Sequence, residues 1–154
     1  MRKKEEQKMN WQETKDKPTG AILHDEFQEG VRFIVMRGPS SLCAYLGIPT
    51  EHPLAGFHYD DLPSIEAHGG LTYSGGGDEL RPKGFYWYGW DYGHSGDKSF
   101  HHDDYPPMLR GLGEKGWLVE DVVKDSWSAI YEFTRLMKLA ELIAGRYRVE
   151  RVEK

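Results

Sequence analysis

Two histidines and two aspartates bracket a glycine-rich, aromatic stretch from His68 to Asp97, HGGLTYSGGGDELRPKGFYWYGWDYGHSGD. Its second end spaces Asp91, His94 and Asp97 three residues apart. Imidazole with two carboxylates is a mixed N/O donor set of the kind that binds Mn, Fe, Zn or Mg. Gly93 and Gly96 let the backbone fold tightly enough for the three side chains to face one point. At the first end, His68 precedes Gly69-Gly70. If the strand after His68 lies beside the strand ending in Asp91, His68 becomes a fourth ligand or a general base, since imidazole exchanges protons near neutral pH. The expected metal set is therefore His68, Asp91, His94 and Asp97, with a divalent ion as cofactor and catalytic roles on His68 and Asp91. Thr72, Tyr73 and Ser74 would add hydroxyl donors nearby.

A structural account of the same residues stands beside this one. Aspartate in a glycine-rich turn commonly caps backbone amides. His94 would then donate to a carbonyl, and His68 would be a hydrogen-bonded packing residue. Neither CxxC nor HExxH occurs in the chain. The His101-His102-Asp103-Asp104 run sits in a loop context and reads as solvated rather than as a metal site. His52 precedes a proline and is expected to be extended. His58-Tyr59-Asp60-Asp61 could contribute a lid, and His24 beside Asp25 reads as a surface or cap residue.

The aromatic run offers a binding surface. Phe85, Trp87 and Gly89 alternate with Tyr86, Tyr88 and Trp90, so one face packs the core and the other can form a platform for a flat ligand. Core packing on both faces is the plainer alternative. Arg32, Arg37, Arg81 and Lys83 suit an anion, because guanidinium matches phosphate geometry, and equally suit an ordinary charged surface. The substrate-binding residues expected here are Thr72, Tyr73, Trp87 and Arg81. GxxxxGK[ST], GxGxxG and GxSxG are all absent.

The elements that must position these groups fit one domain. The chain has 154 residues, enough for a real core. Only 38 % of residues are hydrophobic, but 13 % are aromatic, so large rings carry much of the burial. A net charge of −5 argues against nucleic-acid binding by overall electrostatics. The single cysteine, Cys43, has no partner for a disulfide within the chain and reads as a buried thiol in a reducing compartment. MRKKEEQKMNW shows no apolar signal core, and no run is long enough for a membrane span, so a cytoplasmic location is expected.

Residues 1–20 are polar and read as a flexible arm, with a short helix docked through Met9 and Trp11 as the alternative; residues 21–154 form the domain. Ile22, Leu23 and Phe27 have helical spacing before Gly30. Residues 31–36 and 42–48 read as a hairpin around Gly38-Pro39-Ser40-Ser41. Residues 49–67 form a long loop. Gly70–Tyr73 is short and β-prone, Phe85–Trp90 is the best strand, and Lys115–Val119 is a candidate last strand. Glu120–Ala144 has helical periodicity, with Asp121 near its start and Gly145 as a stop. Strands followed by one long helix predict an α+β fold: an antiparallel sheet of about four to five strands packed by a C-terminal helix.

The motifs also resemble a known group. His52-Pro53-Leu54 with Tyr59-Asp60, then His68-Gly69-Gly70-Leu71-Thr72-Tyr73-Ser74, then Trp90-Asp91 and His94-Ser95-Gly96-Asp97 resemble a family of small uncharacterised bacteriophage and prophage proteins. The likeness covers about residues 31–144. Trp90 stands where that pattern usually has Phe, and the insert around residues 75–84 looks variable. The resemblance implies a phage-encoded protein in the host cytoplasm and points to His68, Asp91, His94 and Asp97 as the shared polar set. It implies no particular reaction.

Three functions fit these residues. The first is a metal-dependent hydrolase acting on a phosphoester or nucleotide-like substrate. The second is a non-enzymatic protein that sequesters a nucleotide-like small molecule or engages a host protein. The third is a structural lock in which His68 and the HxGD turn hold the fold. A homo-oligomer is compatible with each, and no membrane partner is expected.

Overall fold

Val31–Arg37 and Leu42–Pro49 are apolar at nearly every position, which suits strands covered on both faces. In the computed structural model, which describes residues 8–110 and 113–153, they are strands β2 and β3 of a five-stranded antiparallel sheet. The other strands are β1 (Ile22–Gln28), β4 (Tyr73–Gly76) and β5 (Phe85–Asp91), in the order β1-β2-β3-β5-β4. The expected α+β class and antiparallel sheet are present. β2 and β3 pair from Arg32↔Gly47 to Arg37↔Leu42, as the hairpin reading required. Its turn closes through the Gly38 N–H donating to Ser41 O at 2.9 Å. A Cβ at Gly38 would lie 2.6 Å from that same oxygen, so the turn requires glycine.

Ile22–Gln28 is a strand and not the helical turn its apolar spacing suggested. The overlooked signal is Glu29-Gly30. Both residues have positive φ, 50° and 84°, the two-residue turn that matches the twist of a hairpin. Pairing with β2 outweighs a local spacing of three apolar residues.

One sheet face packs on helices α2 (Val119–Asp125) and α3 (Trp127–Glu153). Phe33, Leu46, Tyr88 and Trp90 meet Val122, Ile130, Phe133 and Met137 there. The opposite face carries a smaller cluster of Ile34, Met36, Tyr45 and Trp87. Arg81 covers that cluster, with its guanidinium 4.4 Å from the Tyr73 ring centre and 5.1 Å from that of Tyr45. β5 therefore has core on both faces, and the exposed stacking platform expected at Trp87 does not exist. Trp87 is fully buried, and its indole N–H donates to Pro82 O at 2.9 Å.

The expected single helix from Glu120 is two. The chain breaks at Ser126, whose hydroxyl donates to Val122 O at 2.6 Å. Asp121 supports the start of α2 by accepting the Leu118 N–H at 3.0 Å. Gly145 does not stop α3, which continues to Glu153. The last strand expected at Lys115–Val119 reduces to one parallel bridge, Asp97↔Lys115.

From Lys8 onward the polar arm contains a docked helix, α1 (Trp11–Asp16), capped by Asn10 accepting the Glu13 N–H. Trp11 packs on Phe100 with ring centres 5.1 Å apart, and Thr14 is buried. Residues 1–7, 111–112 and 154 lie outside the described residues. No helix among the described residues is long and apolar enough to cross a membrane.

Candidate functional site

β5 ends at Asp91, and the next residue turns inward. Tyr92 is 1 % exposed, and its N–H donates to Leu42 O at 3.0 Å. The Tyr92 hydroxyl donates to Asp125 Oδ2 at 2.7 Å and accepts the Trp90 indole N–H at 3.1 Å. Burial pushes the Tyr92 phenol pKa well above its ordinary value. A neutral, anchored ring results, and it forms the floor of the site.

His68 lies on that floor. The two rings stack with centres 4.6 Å apart and planes 11° from parallel. Trp117 meets the His68 ring edgewise at 5.0 Å. The glycine turn then brings Asp97 into reach. Gly96 has φ +92°, and the Asp97 N–H donates to His94 O at 2.9 Å. The bridge between Asp97 and Lys115 closes the turn from the far side.

Asp97 is the hub. Its side chain is 5 % exposed, and three donors converge on it. Oδ2 lies 2.7 Å from His68 Nε2 and accepts the His94 backbone N–H at 2.9 Å. Oδ1 accepts the Trp117 indole N–H at 2.7 Å. A buried carboxylate needs such partners to offset its desolvation.

His94 closes the group. Its ring centre is 5.3 Å from that of His68, edge to face. Gly69, at φ +73°, lets the backbone pass directly under this ring; a Cβ there would collide with His94 Cε1 and Nε2. His94 Nδ1 is buried without a hydrogen-bond partner. It stands 3.8 Å from both Asp97 Oδ2 and Asp91 Oδ1, too far for a hydrogen bond.

The structure thus gathers His68, His94 and Asp97, whose potential ligand atoms all lie within 4.8 Å of one another. Asp91 stands outside that group. One of its oxygens accepts the Gly93 N–H at 2.9 Å, the amide-capping role open to aspartate in such a turn.

The expected substrate-binding residues do not assemble around the cluster. The Thr72 N–H donates to Gly89 O at 2.9 Å and its side chain is exposed. Tyr73, paired with Gly89, joins the opposite sheet face and packs edgewise on Tyr45 at 5.6 Å. Ser74 accepts the Tyr59 N–H at 3.0 Å. Arg81 binds Asp78 and donates to the Tyr45 hydroxyl at 3.3 Å, so it serves as the cover of that opposite face. Arg32 is likewise committed, to both oxygens of Asp25.

Of the remaining histidines, His24 lies on β1 with its ring 5.6 Å from that of Phe33, so it is a strand residue and not a cap; the others lie in loops. His52 accepts the Leu54 N–H and contacts Glu141 at 3.0 Å. His58 caps the turn at Asp60, and His101 contacts Pro39 O at 3.1 Å.

Sequence reasoning missed Tyr92, Trp117 and Lys115. Tyr92 lies between two of the expected ligands, Asp91 and His94, and was given no role of its own. An indole N–H needs an acceptor when buried, which was the available signal for Trp117.

Comparisons of this chain with protein-family models, curated proteins and solved structures found no match. They therefore add nothing to the resemblance to phage proteins expected from the motifs.

Proposed function

We propose that the protein is a metal-dependent hydrolase whose ion is held by His68, His94 and Asp97, acting on a phosphoester or nucleotide-like substrate. The observation that carries this reading is His94 Nδ1, a buried nitrogen without a partner that faces Asp97 Oδ2. An unsatisfied buried polar atom costs about 1–3 kcal/mol unless something fills the gap. His94 Nδ1 stands 3.8 Å from Asp97 Oδ2, near the edge of about 3.3 Å of a tetrahedral N/O site; His68 Nε2, now hydrogen-bonded to Oδ2 at 2.7 Å, would give up the proton of that bond to become a ligand. Two imidazoles and one carboxylate suit Zn, Fe or Mn better than Mg, which prefers oxygen ligands.

An ion held there would supply Lewis acidity and a water acidified toward neutral pH. The chain's own residues divide the remaining work. Trp117 and the His94 backbone fix the Asp97 carboxylate. Tyr92 fixes the plane of His68. Asp91, partly exposed and outside the triad, is the carboxylate left to take up a proton. The test is elemental analysis of protein purified without chelator, followed by hydrolysis assays on chromogenic phosphomonoesters and phosphodiesters. Near-stoichiometric Zn, Fe or Mn that is lost in His94→Ala supports the reading. Metal-free protein that gains no thermal stability from added divalent ions refutes it.

A second reading has its own observation. The three donors already on Asp97 satisfy it without an ion, as a purely structural lock would require. The two readings separate on metal content.

A further inference from the structure

We propose that Lys115 is the anion-binding group of this site, so that the ligand it receives carries a phosphate-like oxyanion. The inference rests on the metal reading above and adds the charge of the ligand and the residue that meets it.

Asp97 and Lys115 are partners in a parallel bridge, fixed by Lys98 N–H to Lys115 O at 2.7 Å and Lys115 N–H to Gly96 O at 2.9 Å. Directly paired residues on adjacent extended segments project to the same side, and so do residues two apart along one segment. Lys115 therefore shares a face with Asp97 and with Trp117. The contacts agree: the Trp117 indole reaches Asp97, while the Lys115 ammonium lies 3.9 Å from the centre of the Trp117 ring.

Lys115 does not pair with the carboxylate beside it. The Asp97 oxygens are taken by His68, His94 and Trp117. No ion pair within 4.0 Å joins Lys115 to a carboxylate among the described residues. Lys115 is exposed, its ammonium rests on the Trp117 ring, and its backbone is clamped; without a carboxylate partner it is a ready donor to an anion.

The charge count points the same way. Asp97 is the only carboxylate within the triad. With neutral imidazoles, a divalent ion leaves the triad with net positive charge, and the Lys115 ammonium adds to it. Asp91, outside the triad, offsets one charge. Positive charge from two sources on one face of the site favours an anion as its ligand. A phosphate-type group, with several oxygens, can meet the ion and the ammonium together.

The experiment uses full-length protein loaded with Mn, with inorganic phosphate as the probe. Phosphorus-31 line broadening reports phosphate near the paramagnetic ion, and calorimetry reports both affinities. Lys115→Gln should weaken phosphate binding about tenfold while Mn affinity and melting temperature stay at wild-type values, and Lys115→Arg should restore most of it. Equal phosphate binding by wild type and Lys115→Gln, with Mn bound by both, overturns the inference and leaves the metal reading standing. Failure of the wild-type protein to bind Mn, Zn or Fe overturns the metal reading, and the inference with it.

Discussion

Replacing Asp97 with Asn probes the site with almost no change of shape. The carboxylate is 5 % exposed and accepts from His68, His94 and Trp117. Asn keeps one acceptor oxygen. Placed at Oδ1, it retains Trp117; the amide then occupies the Oδ2 position, where it still meets His68 if that ring changes tautomer. The His94 backbone N–H is left facing another donor. One orphaned buried donor costs about 1–3 kcal/mol, and losing the charge on the two surviving bonds adds roughly 1 kcal/mol. The expected loss is about 2–4 kcal/mol. For a chain of this size, each kcal/mol lowers Tm by about 2–4 °C, so calorimetry should show a fall of roughly 4–16 °C. Asp91→Asn is the internal control. It touches one amide through a partly exposed oxygen and should cost about 0.5–1 kcal/mol, a few degrees at most. Scans with and without chelator separate the two roles: the loss from broken hydrogen bonds persists in chelator, and stabilisation by metal does not. A Tm for Asp97→Asn within about 1 °C of wild type in chelator would refute the hub arrangement. A larger fall for Asp91→Asn would reverse the assignment of the two carboxylates.

Gly69→Ala should displace the His94 ring, because the new methyl collides with it and φ is +73°; Zn or Mn titration should show at least about a tenfold loss of affinity, while Gly70→Ala, at φ +79° with no atom within 4 Å, should retain it. Trp117→Phe keeps a ring against His68 and Tyr92 but deletes the donor to Asp97. It should lower stability by about 1.5 kcal/mol, read as a fall of several degrees in thermal melts. On the opposite sheet face, burial pushes the Cys43 thiol from its ordinary 9.0 up to about 11, helped by the nearby Asp91 charge. The fold favours the neutral thiol, so this contribution is complete below pH 9 and is lost as pH rises through about 11. Denaturant melts should show stability falling over that window, less steeply in Cys43→Ala; burial also pushes Tyr45 up to about 12 and supplies a later loss.

The fold was legible where pattern and burial coincide. β2 and β5 announced themselves through β-branched and aromatic residues, β3 as an apolar run after a turn signal, and α3 through its period. β1 was misread because its apolar residues happen to have helical spacing while its neighbour in the sheet is set by the positive-φ pair Glu29-Gly30. The site was legible in part. Glycine spacing correctly foretold a tight turn carrying His94 and Asp97, with His68 brought to it. It gave no means of ranking the two aspartates. Their difference comes from Trp117, twenty residues beyond Asp97, and from a bridge no local pattern encodes. Tyr73 was assigned to the site by nearness in sequence, and Arg81 because guanidinium suits an anion. Strand alternation instead sends Tyr73 through the sheet, and Arg81 follows it there.

The bridge between Asp97 and Lys115 also has a topological consequence. It ties the base of the excursion formed by residues 98–114, and Phe100 anchors the first part of that excursion by its burial. Farther out, Met108 and Leu109 are 88 % and 68 % exposed. Doubling the length of a closed loop costs only about 0.6 kcal/mol. New sequence spliced in at Met108-Leu109 would thus leave the tied base, with Asp97 and its partners, where they are. The chain holds a built-in port beside the His68, His94 and Asp97 cluster, where a reporter or a recognition segment can be grafted without the cluster having to know its length.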